Sequence, residues 1–139
     1  MSHMYVSLES GQGEQQNDTT GPLPVDSRDF YIQSYKGFNY YLIDLNNVKW
    51  SSLGNIIQGC EAVENECWKA QEEFSTYLRK CDVLSYAEKD GRIVAFDAVA
   101  ILNSGSYCVY NNEETMVLRE FRGRDLARRL VIMTVEWHL

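Results

Sequence analysis

The stretch "YAEKDGRIVAF", residues 86–96, constrains the fold more than any other. Asp90-Gly91 at its centre is a two-residue turn of the kind that closes a hairpin between antiparallel strands. On its upstream side Val83, Ser85 and Ala87 alternate with Leu84, Tyr86 and Glu88, the two-residue period of a strand. Downstream, the apolar run continues as far as Leu102, and "SGSYCVYNNEETMVL" supplies a third strand, with a bulge expected near Asn111-Asn112. Earlier, "DFYIQSYKGFNYYLIDL" holds two aromatic and β-branched runs divided by Lys36-Gly37, which reads as a hairpin or a bulged strand pair. Tyr31, Tyr35, Tyr40 and Tyr41 are expected to form one face of that sheet.

Two segments carry helical spacing instead. In "SSLGNIIQGCEAVENECWKAQEEFSTYLRKC" apolar residues recur at three- and four-residue steps from Leu53 to Cys81. Ser51 or Ser52 is placed to cap its start, and Gly54 and Gly59 are expected to weaken the first turns and divide the segment. The last segment, "RDLARRLVIMTVEWHL", sets Leu126, Leu130, Met133 and Trp137 on one stripe. It is apolar enough that more than one covering surface is expected, including a second copy or another chain docked on it. The order is strands, helix, three strands, helix.

Composition narrows the function classes. The 139 residues suit one domain; 45% are hydrophobic and 24% charged, ordinary for a chain with a packed core. No apolar run approaches the roughly 20 residues of a membrane span. The first residues lack a secretory pattern, and Met-Ser-His-Met reads as a cloning scar. Residues 1–27 are expected to be that scar and a disordered polar leader, and residues 28–139 the folded unit. Four cysteines show no metal-ligand spacing, and the two histidines lie at the chain's ends; free thiols, no metal site and a cytoplasmic location are expected. A formal net charge of −7 disfavours nucleic acid and anionic membranes as partners. Yet Arg119, Arg122, Arg124, Arg128 and Arg129 outnumber Glu120 and Asp125 within eleven residues. One basic patch on an acidic chain suits either a particular anionic ligand or a solvated helix face.

The patch sits where a strand ends near Leu118 and a helix begins near Asp125 or Leu126. Unpaired N–H groups at a helix start, with the positive end of its dipole, form an anion site. Gly123 lets the backbone turn or approach a ligand, and Arg122 and Arg124 would add charge-assisted bonds to phosphate.

This segment resembles the acyl-CoA-binding motif of the GNAT superfamily of N-acetyltransferases. That superfamily carries Arg/Gln-x-x-Gly-x-Gly/Ala between its fourth strand and the next helix. The match here runs Arg122, Gly123, Arg124, Asp125, Leu126, Ala127, preceded by "VLREF", and "YAEKDGRIVAF" is similar to the second and third strands of the family. The resemblance covers residues 82–130. It implies an α/β fold with a mixed, mostly antiparallel sheet flanked by helices, and, by comparison with the family pattern, lacking the C-terminal strands.

It also implies acyl transfer from acetyl-CoA to an amine by direct attack. Amides from Arg122 to Ala127 would bind the CoA pyrophosphate, and amides near Val117 and Leu118 would polarise the thioester carbonyl. Glu113 and Glu114, ahead of the motif strand, are candidate bases, although a solvated turn also accounts for them. Asp125 stands where the family has a glycine. A carboxylate about 4 Å from a pyrophosphate would cost a few kcal/mol at an effective dielectric of about 20. Turned inward, Asp125 would cap its own helix and occupy the amides; turned outward, the arginines would neutralise it. The alternatives to an enzyme are a non-catalytic CoA-binding module and a protein-interaction module on the same fold. Without the family's C-terminal half, poor turnover is expected of this chain alone.

Overall fold

Two tight turns set the sheet. Lys36 and Gly37 have φ of 52° and 86°, and Asp90 and Gly91 have φ of 53° and 79°. Two consecutive left-handed residues make the turn whose twist matches that of the strands it joins. The computed structural model describes residues 27–68 and 73–139. The expected scar and leader, up to residue 26, lie outside them.

Strands β1 (Tyr31–Tyr35), β2 (Phe38–Asp44), β3 (Val83–Lys89), β4 (Arg92–Ser104) and β5 (Tyr107–Val117) form one sheet in the order β1-β2-β3-β4-β5. Each described pairing is antiparallel. Between β2 and β3 run helices α1 (Gly54–Cys67) and α2 (Phe74–Leu78), and α3 (Leu126–His138) follows β5. The architecture is α/β: an antiparallel five-stranded sheet flanked by helices.

Helices cover both faces, so the central strands are buried in near-continuous runs, residues 40–45, 83–87 and 94–100. Phe74 of α2 meets Phe96 of β4 at 5.0 Å between ring centroids, which puts Phe96 on the α1–α2 face. Register then places Tyr86 on that face with Phe96, and Tyr41 stacks on Tyr86 at 4.8 Å. Leu42, Ser85 and Asp97 point the other way, under α3, whose Leu126, Leu130 and Met133 are buried. The tyrosines expected on one face are therefore divided. Tyr31 lies edge-on to Tyr41 at 5.9 Å, whereas Tyr40 faces the α3 side, where Arg129 lies over the Tyr35 ring at 4.3 Å.

Two local expectations are corrected. The helical segment divides after Cys67, where Trp68 takes an extended conformation, and not at its glycines. Gly54 is the first residue of α1, and Gly59 lies within it against Ile93, whose Cδ1 would stand 2.7 Å from an added Cβ. Close approach to the sheet explains Gly59. No side chain caps α1; the Ser52 hydroxyl instead donates to the Lys49 carbonyl at 2.7 Å. The bulge expected near Asn111-Asn112 is present, at Glu113, because Glu114 and Asn112 oppose the adjacent Ala98 and Val99.

Candidate cofactor and acceptor site

After β5 the chain makes a short 3-10 turn, Arg119–Phe121, and enters α3. Gly123 and Asp125 both have positive φ, 80° and 68°. Asp125 thus occupies a conformation that glycine adopts without cost and that aspartate tolerates better than most residues. The left-handed backbone turns its side chain outward: it makes no capping hydrogen bond and pairs with Arg128 at 3.2 Å. The first backbone bond into the helix runs from Arg129 N–H to the Asp125 carbonyl at 3.0 Å. The amides of Leu126, Ala127 and Arg128 precede it and have no acceptor within the helix.

The arginines frame this terminus unequally. Arg122 folds back, its Nε donating to the Val117 carbonyl at 3.0 Å and its guanidinium 3.6 Å from Cys67 Sγ. Arg124 lies over the Phe121 ring at 5.9 Å, and Phe121 packs edge-on against Phe38 at 5.7 Å. Arg124 and Arg128 are exposed at the mouth of the loop.

Strand β5 is the edge of the described sheet. Leu118 N–H donates to the Val94 carbonyl at 2.9 Å while Ala95 stands opposite Val117. That combination makes Ala95 and Val117 a non-hydrogen-bonded pair, so the N–H and C=O of Val117 face the open edge. By alternation Thr115 faces out as well. The Leu118 amide, expected beside Val117 to meet a thioester, is taken up inside the sheet; Val117 and Thr115 present the outward amides.

Glu113 and Glu114 are adjacent in sequence and unlike in setting. Glu113, at the bulge, is exposed and accepts a bond from Asn111. Glu114 is 6% exposed under the α1–α2 face, and Trp68 Nε1 donates to its Oε2 at 3.0 Å. Burial raises its pKa despite the indole bond. Glu64 of α1, only 2% exposed, has its pKa pushed up to about 7 by burial, by Glu114 and by Glu61. Glu64 and Trp68 were not among the site residues expected from the sequence. Their signal was present: Cys60, Glu64 and Trp68 are spaced by four, so an acid interrupts an otherwise apolar row.

Nor was Asp97 expected, a lone acid in the run "IVAFDAVAIL". Asp97 is fully buried, accepts a bond from Thr115 Oγ1 at 2.7 Å, and faces the Asn112 amide, whose nitrogen turned toward it donates at 3.2 Å. Burial raises its pKa to about 6.

All four cysteines are free, and no group of ligands suited to a metal occurs among the described residues. Nor is any described helix long and apolar enough to cross a membrane. On the α1–β4 side a cavity of about 420 Å³ is lined by Gly59, Val63, Ile93 and Leu118. Arg92 at its rim is tied to Glu66 at 3.0 Å, so it offers no free cation to an anion.

Fold and loop together define an α/β protein with an uncapped helix start beside an open sheet edge. No family model matches the chain, and no curated protein does. Among solved structures it is similar to an aminoglycoside acetyltransferase from an uncultured soil metagenomic sample. The two share 16% identity over 72% of this chain and 70% of the other, with a TM-score of 0.49.

Proposed function

We propose that residues 28–139 are the N-terminal portion of a GNAT-like acyltransferase domain that moves an acetyl group from acetyl-CoA to an amine. The observation that carries the reading is the uncapped start of α3, reached through two left-handed residues beside an edge strand. Amides from Gly123 to Ala127 and the positive end of the α3 dipole suit a pyrophosphate, and Arg124 suits its charge. The outward Val117 amide is aimed where a thioester oxygen would lie if the rest of the donor followed β5. Bound acetyl-CoA supplies an electrophilic acyl carbon and a thiolate leaving group.

The chain's own residues do the rest. Glu114 takes the proton that a charged amine must lose before its nitrogen can attack, and a raised carboxylate pKa suits that task. The new C–N bond forms as the C–S bond breaks, and the second amine proton ends on the departing sulfur or in water. No side-chain nucleophile is needed, which leaves the four cysteines outside the chemistry. Glu113, exposed at the bulge, is the weaker candidate base.

Calorimetric titration of acetyl-CoA into the chain tests the reading. A dissociation constant in the micromolar range is expected. Arg124→Ala should weaken it about 3- to 10-fold, by the loss of roughly 1 kcal/mol of charge-assisted bonding. Asp125→Gly should tighten it severalfold, since the backbone keeps its conformation and a carboxylate leaves the mouth of the site. A folded chain that does not bind at millimolar acetyl-CoA would rule the reading out. Exposed Leu102, Tyr107 and Val109 at the far end of the β4–β5 arm favour a second reading, an interaction module; it expects association of chains and no CoA binding.

A further inference from the structure

Two carboxylates are enclosed together under α1. Glu64 and Glu114 are 2% and 6% exposed. Glu64 Oε2 and Glu114 Oε1 have no hydrogen-bond partner among the described residues. Such oxygens lose their water on folding and regain nothing, which natural proteins rarely tolerate without a reason. The two act on each other: Glu114 contributes to holding Glu64 in its protonated form. Among the described residues no ion pair reaches either carboxylate, and Arg122, 3.6 Å from Cys67 Sγ, is turned to the Val117 carbonyl. Cys60 lies one turn before Glu64 and is buried, Glu61 is a third acid, and the Trp68 indole is neutral.

Trp68 determines what this pair is open to. Its Nε1 holds Glu114 Oε2 at 3.0 Å and leaves Oε1 free, while its ring is 46% exposed. The tryptophan is thus a roof with one face in solvent and one edge on the carboxylate. A ligand passing it would meet two carboxylate oxygens lacking donors and an aromatic surface. Three N–H donors and a positive charge fit that set: the oxygens take two of the donors and the indole ring attracts the charge.

From this we infer that Glu64 and Glu114 form a binding site for an alkylammonium group, entered past Trp68, and that the acyl acceptor is a primary alkylamine that arrives charged. The second part rests on the acyl-transfer reading; the binding site itself does not. Glu64 is a positioning residue here. It holds the ammonium against Glu114, which takes the proton three residues before Val117 at the same end of β5. An arylamine, uncharged at neutral pH, would be a poor ligand.

The test is calorimetry on the full chain with n-butylammonium chloride, n-butanol and acetyl-CoA titrated separately. Butylammonium should bind at least ten times more tightly than butanol, which has a similar shape and no charge. Glu64→Gln keeps the volume and removes the charge, and should weaken butylammonium at least 10-fold while leaving acetyl-CoA affinity unchanged. Trp68→Phe provides a second variant, expected to weaken butylammonium severalfold. Butylammonium binding no tighter than butanol, or undiminished in both variants, overturns the inference. Acetyl-CoA binding without ammonium binding overturns this site alone. Ammonium binding without acetyl-CoA binding keeps the site and removes the acyl-transfer reading.

Discussion

Asp97 shows what a single buried acid does to a fold. Its folded pKa is raised to about 6 from 3.8, so the folded chain holds its proton more tightly than the unfolded one. Below about pH 4 the acid is protonated in both states and costs nothing. Between pH 4 and 6 the penalty grows, and above 6 it is fully present, on the order of 2–3 kcal/mol. Asp97→Asn removes that charge. Thr115 can still donate to the remaining oxygen, and the Asn112 amide can turn to offer its own oxygen. Chemical denaturation at pH 7.5 should therefore find the variant more stable by about 1–3 kcal/mol, with the gain absent at pH 4. Equal gains at both values would mean that packing, not charge, is responsible.

At the scale of elements, turns and close contacts govern more than propensity. Lys36 holds a left-handed conformation at φ 52°, which costs an ordinary residue roughly 1 kcal/mol. Asparagine tolerates it better and suits the first position of such a hairpin. Lys36→Asn should therefore raise the urea midpoint, by about 0.5 kcal/mol of stability; a loss would mean that the Lys36 ammonium over the Tyr35 ring, 5.2 Å away, outweighs the turn. The same logic explains why α1 runs through Gly59. Its packing against Ile93 supports a helical backbone at a residue that would weaken an isolated helix.

The whole molecule is acidic outside and carries acids within. Asp44, Glu64, Asp97 and Glu114 all have pKa values raised by burial. Each gives the folded state a greater hold on protons, so stability should rise as pH falls from 8 through 7 and 6. The net charge of −7 acts in the same direction, because self-repulsion shrinks toward the isoelectric point near 4.8. The midpoint of thermal unfolding is expected to be several degrees higher at pH 5.5 than at pH 8, and Asp97→Asn should reduce that difference. A midpoint that rises with pH would contradict the shared sign of these shifts.

Some of this protein was already determined by its sequence. Strand alternation and the Lys36-Gly37 and Asp90-Gly91 turns are local properties of the backbone, so the hairpins, the antiparallel sheet and the last helix could be read directly. The loop at residues 122–127 could be singled out as a candidate anion site because its glycine and arginines act within a few residues of one another. Tertiary structure decided what depends on partners distant in the chain. The close approach of Gly59 depends on Ile93 and the sheet. Which way Asp125 faces depends on a left-handed backbone that its side chain does not reveal. Whether Leu118 or Val117 offers an amide depends on register with β4, where a one-residue step exchanges the inner and outer groups. Glu64 and Glu114 stand 50 positions apart. Only the packing of α1 on β5 brings two charges into one enclosure, because burial and Coulomb repulsion act through space and not along the chain.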